Sequence, residues 1–263
     1  MTSQSFRLPH RFRAFRAISA LMLREMTTRY GRSAGGYVWA VLEPAGVLIL
    51  LSAAFSLLLR APSLGNSFIL FYASAYLPFK AYQDVAAKTA DSIRFSKSLL
   101  VYPAVGFLDA VLARFFLAIL TQSMVACLLL TGILLWLEVS VITDVSAMVL
   151  AMALAALLGL GLGTLNCLLF GMFPVWNSVF NILTRPLFLA SGILFIFEEV
   201  PVWIAQILWY NPLVHITGIM RRGFYPFYEA SYASALYPLG VAMGLLALGL
   251  VLLRRHYKTL LVF

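Results

Sequence analysis

Apolar runs closed by clusters of charged or turn-forming residues set the layout of this chain. Six of them, at 37–59, 68–87, 105–136, 145–170, 177–197 and 233–253, are long enough to cross a bilayer. A helix rises about 1.5 Å per residue, so about 20 apolar residues span a hydrocarbon core of roughly 30 Å. The pattern predicts an all-α polytopic membrane protein with six transmembrane helices in one domain covering residues 1–263. The second run is the weakest, because Pro78, Lys80 and Asp84 interrupt it; Lys80 and Asp84 stand four apart and can pair on one helix face. The third exceeds one perpendicular crossing and predicts tilt or an interfacial lead-in. The fourth carries Gly159, Gly161 and Gly163 among alanines, a small-residue surface suited to close helix packing. The fifth contains Arg185-Pro186 near its middle. An arginine at that depth is costly unless it faces a wet pore or a partner such as Asp109 or Glu43, and both readings stand.

Three stretches are amphipathic without being spans. In residues 10–34, Phe12, Phe15, Ile18, Met22 and Met26 share one side of a helix, with Arg13, Arg16 and Arg24 opposite. That predicts a helix lying on an anionic membrane surface, against the alternative of a solvated basic tail. Residues 88–102 mix Lys88, Arg94 and Lys97 with Ile93, Phe95, Leu99 and Leu100, the pattern of a short surface helix able to dock a soluble partner. Residues 200–223 form two apolar pieces divided by Asn211-Pro212, each too short to cross, and read as re-entrant or interfacial helices before the last span.

Charge orients the whole. Fourteen basic residues fall on the side of the two termini and of the 88–102 loop, against three (Arg60, Arg221, Arg222) on the other, so both termini are expected to be cytoplasmic. The net charge of +9 belongs to loop edges rather than to a polar surface for nucleic acid. A composition of 62% hydrophobic and 11% charged residues excludes a soluble globular domain. Cys127 and Cys167 lie inside apolar runs as packing residues, and no cysteine or histidine spacing suggests a metal. No phosphate loop, zinc-protease or serine-hydrolase motif is present. The residue that keeps an enzyme reading open is His215, as the base of an intramembrane acyltransferase; a structural hydrogen bond is its other reading. A non-catalytic membrane scaffold is a further alternative.

The motif RE-x3-RYG-x3-GG-x2-W-x3-EP, formed by Arg24, Glu25, Arg29, Tyr30, Gly31, Gly35, Gly36, Trp39, Glu43 and Pro44, is followed by a basic loop after the second span and by YNPLVH-x5-RRGF from Tyr210 to Phe224. In these features the chain resembles the permease subunit of type-2 ABC exporters of capsular polysaccharide. It departs at Ser74-Ala75-Tyr76, where that family often shows a glycine.

The resemblance implies a bacterial inner-membrane pore built from two copies of the chain. Two separate ATP-binding cassette subunits would hold ATP and Mg, with no cofactor in this chain. The cargo would be a lipid-linked capsular polysaccharide, or alternatively O-antigen or a teichoic acid polymer. Periplasmic and outer-membrane export components are further expected partners, and membrane lipid is the solvent. It also implies roles for residues. Ile93, Arg94, Phe95, Lys97, Leu99 and Tyr102 would couple to the ATPase, and Arg24, Glu25, Arg29 and Tyr30 would belong to a gating interfacial helix. The 200–223 helices would cap the periplasmic exit. Sugars offer apolar C–H faces to aromatic rings, and many capsules are acidic. Phe71, Tyr72, Tyr76, Trp203, Trp209, Tyr210 and Tyr225, with Arg185, Arg221 and Arg222, are therefore the candidate translocation path. Each aromatic residue is also open to reading as an ordinary membrane anchor.

Overall fold

The computed structural model describes residues 11–30, 36–100, 105–137 and 144–262. Among them every regular element is helical. In chain order these are α1 (Arg11–Tyr30), α2 (Gly36–Leu58), α3 (Phe68–Ala90), α4 (Ser92–Leu100), α5 (Phe107–Leu137), α6 (Val145–Met172), α7 (Pro174–Ala190), α8 (Val202–Leu208), α9 (Pro212–Phe224) and α10 (Leu236–Val262), with a 3-10 turn at Phe197–Glu199 between α7 and α8. Tyr102 and the Glu138 turn lie outside the described residues, as do the side chains of Arg29 and Tyr30.

Among the described residues, four segments are long and apolar enough to cross a membrane: Val38–Leu58, Phe107–Leu137, Val145–Met172 and Leu236–Tyr257. α3 is long but carries Lys80, Asp84 and Lys88, and its position explains why it is not more apolar. It runs through the middle of the bundle, and residues from Leu70 to Ala90 are buried on nearly all sides. A helix enclosed by other helices does not have to present a uniformly apolar surface to lipid. Lys80 pairs with Glu43 of α2 at 2.7 Å and with Asp84 at 3.4 Å, and Gln122 of α5 donates to Asp84. The pairing of Lys80 with Asp84 is the one their spacing predicts.

α6 packs against α3 through glycine. A Cβ at Gly159 would stand 2.7 Å from the Tyr82 carbonyl oxygen, and one at Gly163 would stand 2.7 Å from that of Ala86. The Gly159/Gly163 pair is therefore a seam inside the chain, where backbones touch because no side chain intervenes. Gly161 turns the other way and makes the same close approach to Ala242 of α10. At its start α6 is capped by Asp144, whose carboxylate accepts from the Ser146 hydroxyl and from the Ser146 and Ala147 amides. These bonds, that from the Ser146 hydroxyl foremost, hold the Asp144 pKa below the usual carboxylate value.

Of the boundaries that differ from the apolar pattern, two have a clear cause. The fifth run was expected over 177–197, but α7 ends at Ala190, because Gly192 adopts φ +74° just past the Ser191 cap and turns the chain out of the helix. The last run was expected to close at Leu253, yet α10 continues through Arg254, Arg255 and His256. Charge ends a membrane span without ending a helix. In α1 the face turned to the bundle is Ile18, Leu21, Met22 and Glu25, while Phe15, expected on the apolar side, is exposed.

Candidate functional site

The two surface helices, α1 and α4, both pack on α5 and converge there on a buried Arg114. Its Nε lies 3.2 Å from Oε2 of Glu25 on α1. Its Nη1 donates to the Lys88 carbonyl oxygen at the end of α3, at 3.2 Å. Its guanidinium stands 4.1 Å from the ring centre of Phe95 on α4, and the guanidinium of Arg24 stands 5.5 Å from the same ring. Glu25 and Arg114 are 3% and 6% exposed, so a charged pair has been taken out of water to join elements far apart in sequence. Such a pair holds only while both members are present, and a cation over an aromatic face adds attraction of its own. Glu25 and Phe95 are both sequence candidates, and the fold brings them to Arg114, which was not one. The available signal was its being an ionisable residue within an apolar run.

This geometry sets the orientation of α4. Ile93 is buried, and Phe95 is turned to the two arginines rather than presented freely to a docking partner. Arg94 and Ser98 are exposed, with Asp91 half-buried one turn before and ion-paired to Arg94 at 3.0 Å. Lys97, Leu99 and Leu100 are half-buried. The outward face of α4 is thus Asp91, Arg94 and Ser98, spaced by three and four residues.

At the other end of the bundle, the Asn-Pro and arginine motif stitches α9 to the end of α7. Asn211 caps α9, accepting from the Leu213 amide at 3.0 Å and donating to the Ala190 carbonyl at 2.9 Å. Thr217 donates to the Ser191 carbonyl at 3.0 Å, and Arg221 donates to those of Phe195 (2.7 Å) and Ile193 (3.1 Å). Carbonyls left over where α7 stops are satisfied by one face of α9. Arg221 is 1% exposed and its guanidinium lies 4.3 Å from the Phe71 ring centre, so in this conformation it is a staple inside the chain rather than a charge offered to a polymer.

His215 is closed to chemistry in the same way. Its Nδ1 accepts from the Ser234 amide at 3.1 Å, which leaves Nε2 to carry the proton and donate to the Trp209 carbonyl at 2.8 Å. Burial lowers its pKa below the ordinary histidine value. With both nitrogens engaged and no exposed surface, the imidazole has no free position for a substrate. Nearby, Tyr228 donates to Glu198 at 2.9 Å, and burial raises its phenol pKa far above normal.

The candidate path residues separate into two groups. Phe71, Tyr72 and Tyr76 are buried in the core of the bundle, and Tyr225, half-buried, lies against Gly65 in the turn before α3. Arg185, Trp203, Trp209, Tyr210 and Arg222 are exposed. Arg185 is not paired with either expected carboxylate: Glu43 holds Lys80, and Asp109 accepts from the Gly106 amide at 2.8 Å. Among the described residues no group of histidine, cysteine and carboxylate side chains is arranged to hold a metal.

Comparison with known proteins fits this arrangement. Residues 16–225 match the family model described as ABC-2 type transporter. The chain is 30% identical over 246 residues to the polysialic acid transport protein KpsM of Escherichia coli, covering 93% of this chain and 95% of that protein. It is 28% identical over 245 residues to the capsule polysaccharide export inner-membrane protein BexB of Haemophilus influenzae, and 27% identical over 249 residues to CtrC of Neisseria meningitidis, which bears the same description; 92% of both chains is covered in each case. With a family model spanning most of its length and relatives matched nearly end to end, this chain belongs to the ABC-2 type transporter family.

Proposed function

We propose that this chain is the membrane permease of an ATP-driven exporter that moves a capsular polysaccharide, carried on a lipid, across the bacterial inner membrane. Two copies form the pore and two ATP-binding cassette subunits drive it. ATP and magnesium reside on those partners, and this chain carries neither a catalytic site nor a cofactor. The family supports the transport role, and the relatives' described export of capsule polysaccharide supports the cargo. Six crossings, α2, α3, α5, α6, α7 and α10, leave α1, α4 and both termini on the cytoplasmic side. α8 and α9 are re-entrant at the periplasmic exit, where outer export components would be met. Four of those crossings have the length and apolarity alone. For α3 the argument is enclosure by the bundle. For α7 it is about 26 Å of helix with exposed Val175, Ile182, Leu183 and Leu189.

The observation that carries the reading is the buried contact of α4 with α1 and α5 through Phe95, Arg114 and Glu25. A motor outside the membrane can act on the spans only through the surface helices it touches. Here the outward face of α4 offers Asp91, Arg94 and Ser98 to the cassette, while its inward face reaches both the interfacial helix and a span. Exposed Trp203, Trp209, Tyr210, Arg185 and Arg222 remain the surfaces best suited to a sliding glycan.

The test is gentle purification of the tagged chain from its native host. An ATP-hydrolysing subunit in equal amount, and loss of a surface polysaccharide on deletion of the chain, are expected. An intact oligomer without any ATPase would sink the proposal. Phe95→Ala is expected to leave assembly with the ATPase intact and to lower transport per ATP, whereas Arg94→Glu weakens assembly itself.

A further inference from the structure

A cavity of about 580 Å³ opens where α4 meets the last turns of α3 and α6 and the first turns of α7. That volume is in the range of small-molecule sites. Its lining is mixed in a particular way. Arg94 and Lys97 come from α4, Asn166 from α6, and Asn177 and Asn181, one turn apart, from α7. Alanines of α3 and the edge-to-face pair of Phe170 and Phe180, 5.8 Å between ring centres, supply apolar wall.

Asn166 is the informative member. It is 1% exposed, and its Oδ1 accepts from the Trp176 indole at 3.1 Å, which fixes the orientation of the amide. The Nδ2 on the other side donates to nothing among the described residues. Buried donors are normally satisfied, by protein or by something bound beside them. The α7 amides add further spare capacity, because the one bond between them, from Asn181 Nδ2 to Asn177 Oδ1 at 3.4 Å, leaves the remaining donors and acceptor open. Asp91 neutralises Arg94, while Lys97 has no ion-pair partner among the described residues. The site therefore combines one uncompensated cation, several amides and a strip of apolar wall.

We propose that this cavity receives the head group of an anionic, hydroxyl-bearing phospholipid from the cytoplasmic leaflet. Lys97 and the edge of Arg94 meet the phosphate, the asparagine amides meet the glycerol hydroxyls, and the alanine and phenylalanine wall takes the first carbons of the lipid. A free anion would leave that wall unused, and a choline head group would bring a cation against Lys97. The inference rests on the embedding proposed above, which puts α4 at head-group depth, and not on the identity of the cargo. Because α4 forms one wall, occupancy would brace the surface helix that faces the ATPase.

The full chain, purified in detergent, is titrated with phosphatidylglycerol and separately with phosphatidylcholine, and bound lipid is counted by native mass spectrometry. One phosphatidylglycerol per chain is expected to bind about tenfold more tightly than phosphatidylcholine, the scale of one charge-assisted contact. Lys97→Gln, or Asn177→Ala with Asn181→Ala, removes that preference. Arg254→Gln, an exposed cation outside the cavity lining, keeps it, and thermal melting verifies that each variant is folded. Equal affinity for the two lipids, or an equal loss in Arg254→Gln, overturns the proposal by reducing the effect to diffuse surface charge. Displacement of the bound lipid by millimolar inorganic phosphate overturns it in favour of a free-anion site. The lipid measurement uses the chain alone, so failure to recover an ATPase partner, which would sink the exporter reading, leaves this outcome untouched.

Discussion

Arg114 and Glu25 show what a charged pair does when the solvent is excluded. At 6% and 3% exposure each charge depends on the groups packed around it, and the two stand 3.2 Å apart. Arg114→Leu is expected to destabilise the chain by about 3–5 kcal/mol, because it breaks a buried ion pair by removing one of its charges. Replacing both by leucine should recover most of that loss, and the difference is read in a double-mutant cycle of melting temperatures in detergent. His215 gives a second expectation at this scale, this time in pH. Burial sets its folded pKa below the unfolded value of about 6.5, so the unfolded chain takes up the proton first. Its contribution is therefore neutral above about pH 6.5 and becomes destabilising as pH falls below it. His215→Gln should flatten that part of the profile in pH-dependent melts. A His215→Gln chain that exports normally once folded would agree with the hydrogen bonds to Trp209 and Ser234 as its whole role.

Between elements, the closest contacts are made by what is missing. The α3–α6 seam has no side chain at Gly159 or Gly163, and the facing surface is the backbone of Tyr82 and Ala86, which cannot move aside as a side chain can. Gly159→Ala is expected to push α3 and α6 apart and cost about 1–3 kcal/mol. Gly46, where an added methyl would meet nothing within 4 Å, should accept alanine with little change. Comparative melting of the two variants reads the contrast. The α7–α9 junction works by polar complementarity instead. Asn211, Thr217 and Arg221 share one side of α9 and meet the carbonyls where α7 stops, so Arg221→Lys, with its single ammonium in place of a planar fork, should loosen the α7 end despite keeping the charge. Limited proteolysis between residues 191 and 200 measures that loosening.

For the whole molecule, the number of crossings can be read by labelling. In a cysteine-free background, single cysteines at Ser63 and Glu229 should react with an impermeant maleimide from outside, and those at Arg94 and Arg254 only after the membrane is opened. If α3 does not cross, Ser63 and Arg94 will label from the same side. The same molecule places its charged surface helices at one end of the bundle and its aromatic, carbonyl-capped short helices at the other. This polarity is what a vectorial exporter requires. Glu25, Arg114 and Phe95 connect α1, α5 and α4 directly.

Much of this was legible in the order of residues. Apolar length announced the long helices and the Lys80–Asp84 spacing announced an ion pair, because each is a local property fixed by helical repeat and hydration. The alternation of Asn211-Pro212 with Arg221 was visible as a motif, but its purpose was not. The sequence states that an arginine is present, while only the folded chain brings the ends of α7 and α9 together and turns that arginine into a cap. The end of α7 was announced by Ser191-Gly192 and hidden by the apolar residues that follow, since hydropathy averages over a turn that needs one positive φ. Phe95 was recognised as part of a surface helix but its facing was not, because a short amphipathic helix does not reveal which side meets the bundle until Arg114, from the next helix, arrives beside it. Local patterns determined what could lie in the bilayer; contacts between distant helices decided which polar groups were partners, and hence where motion and ligand can enter.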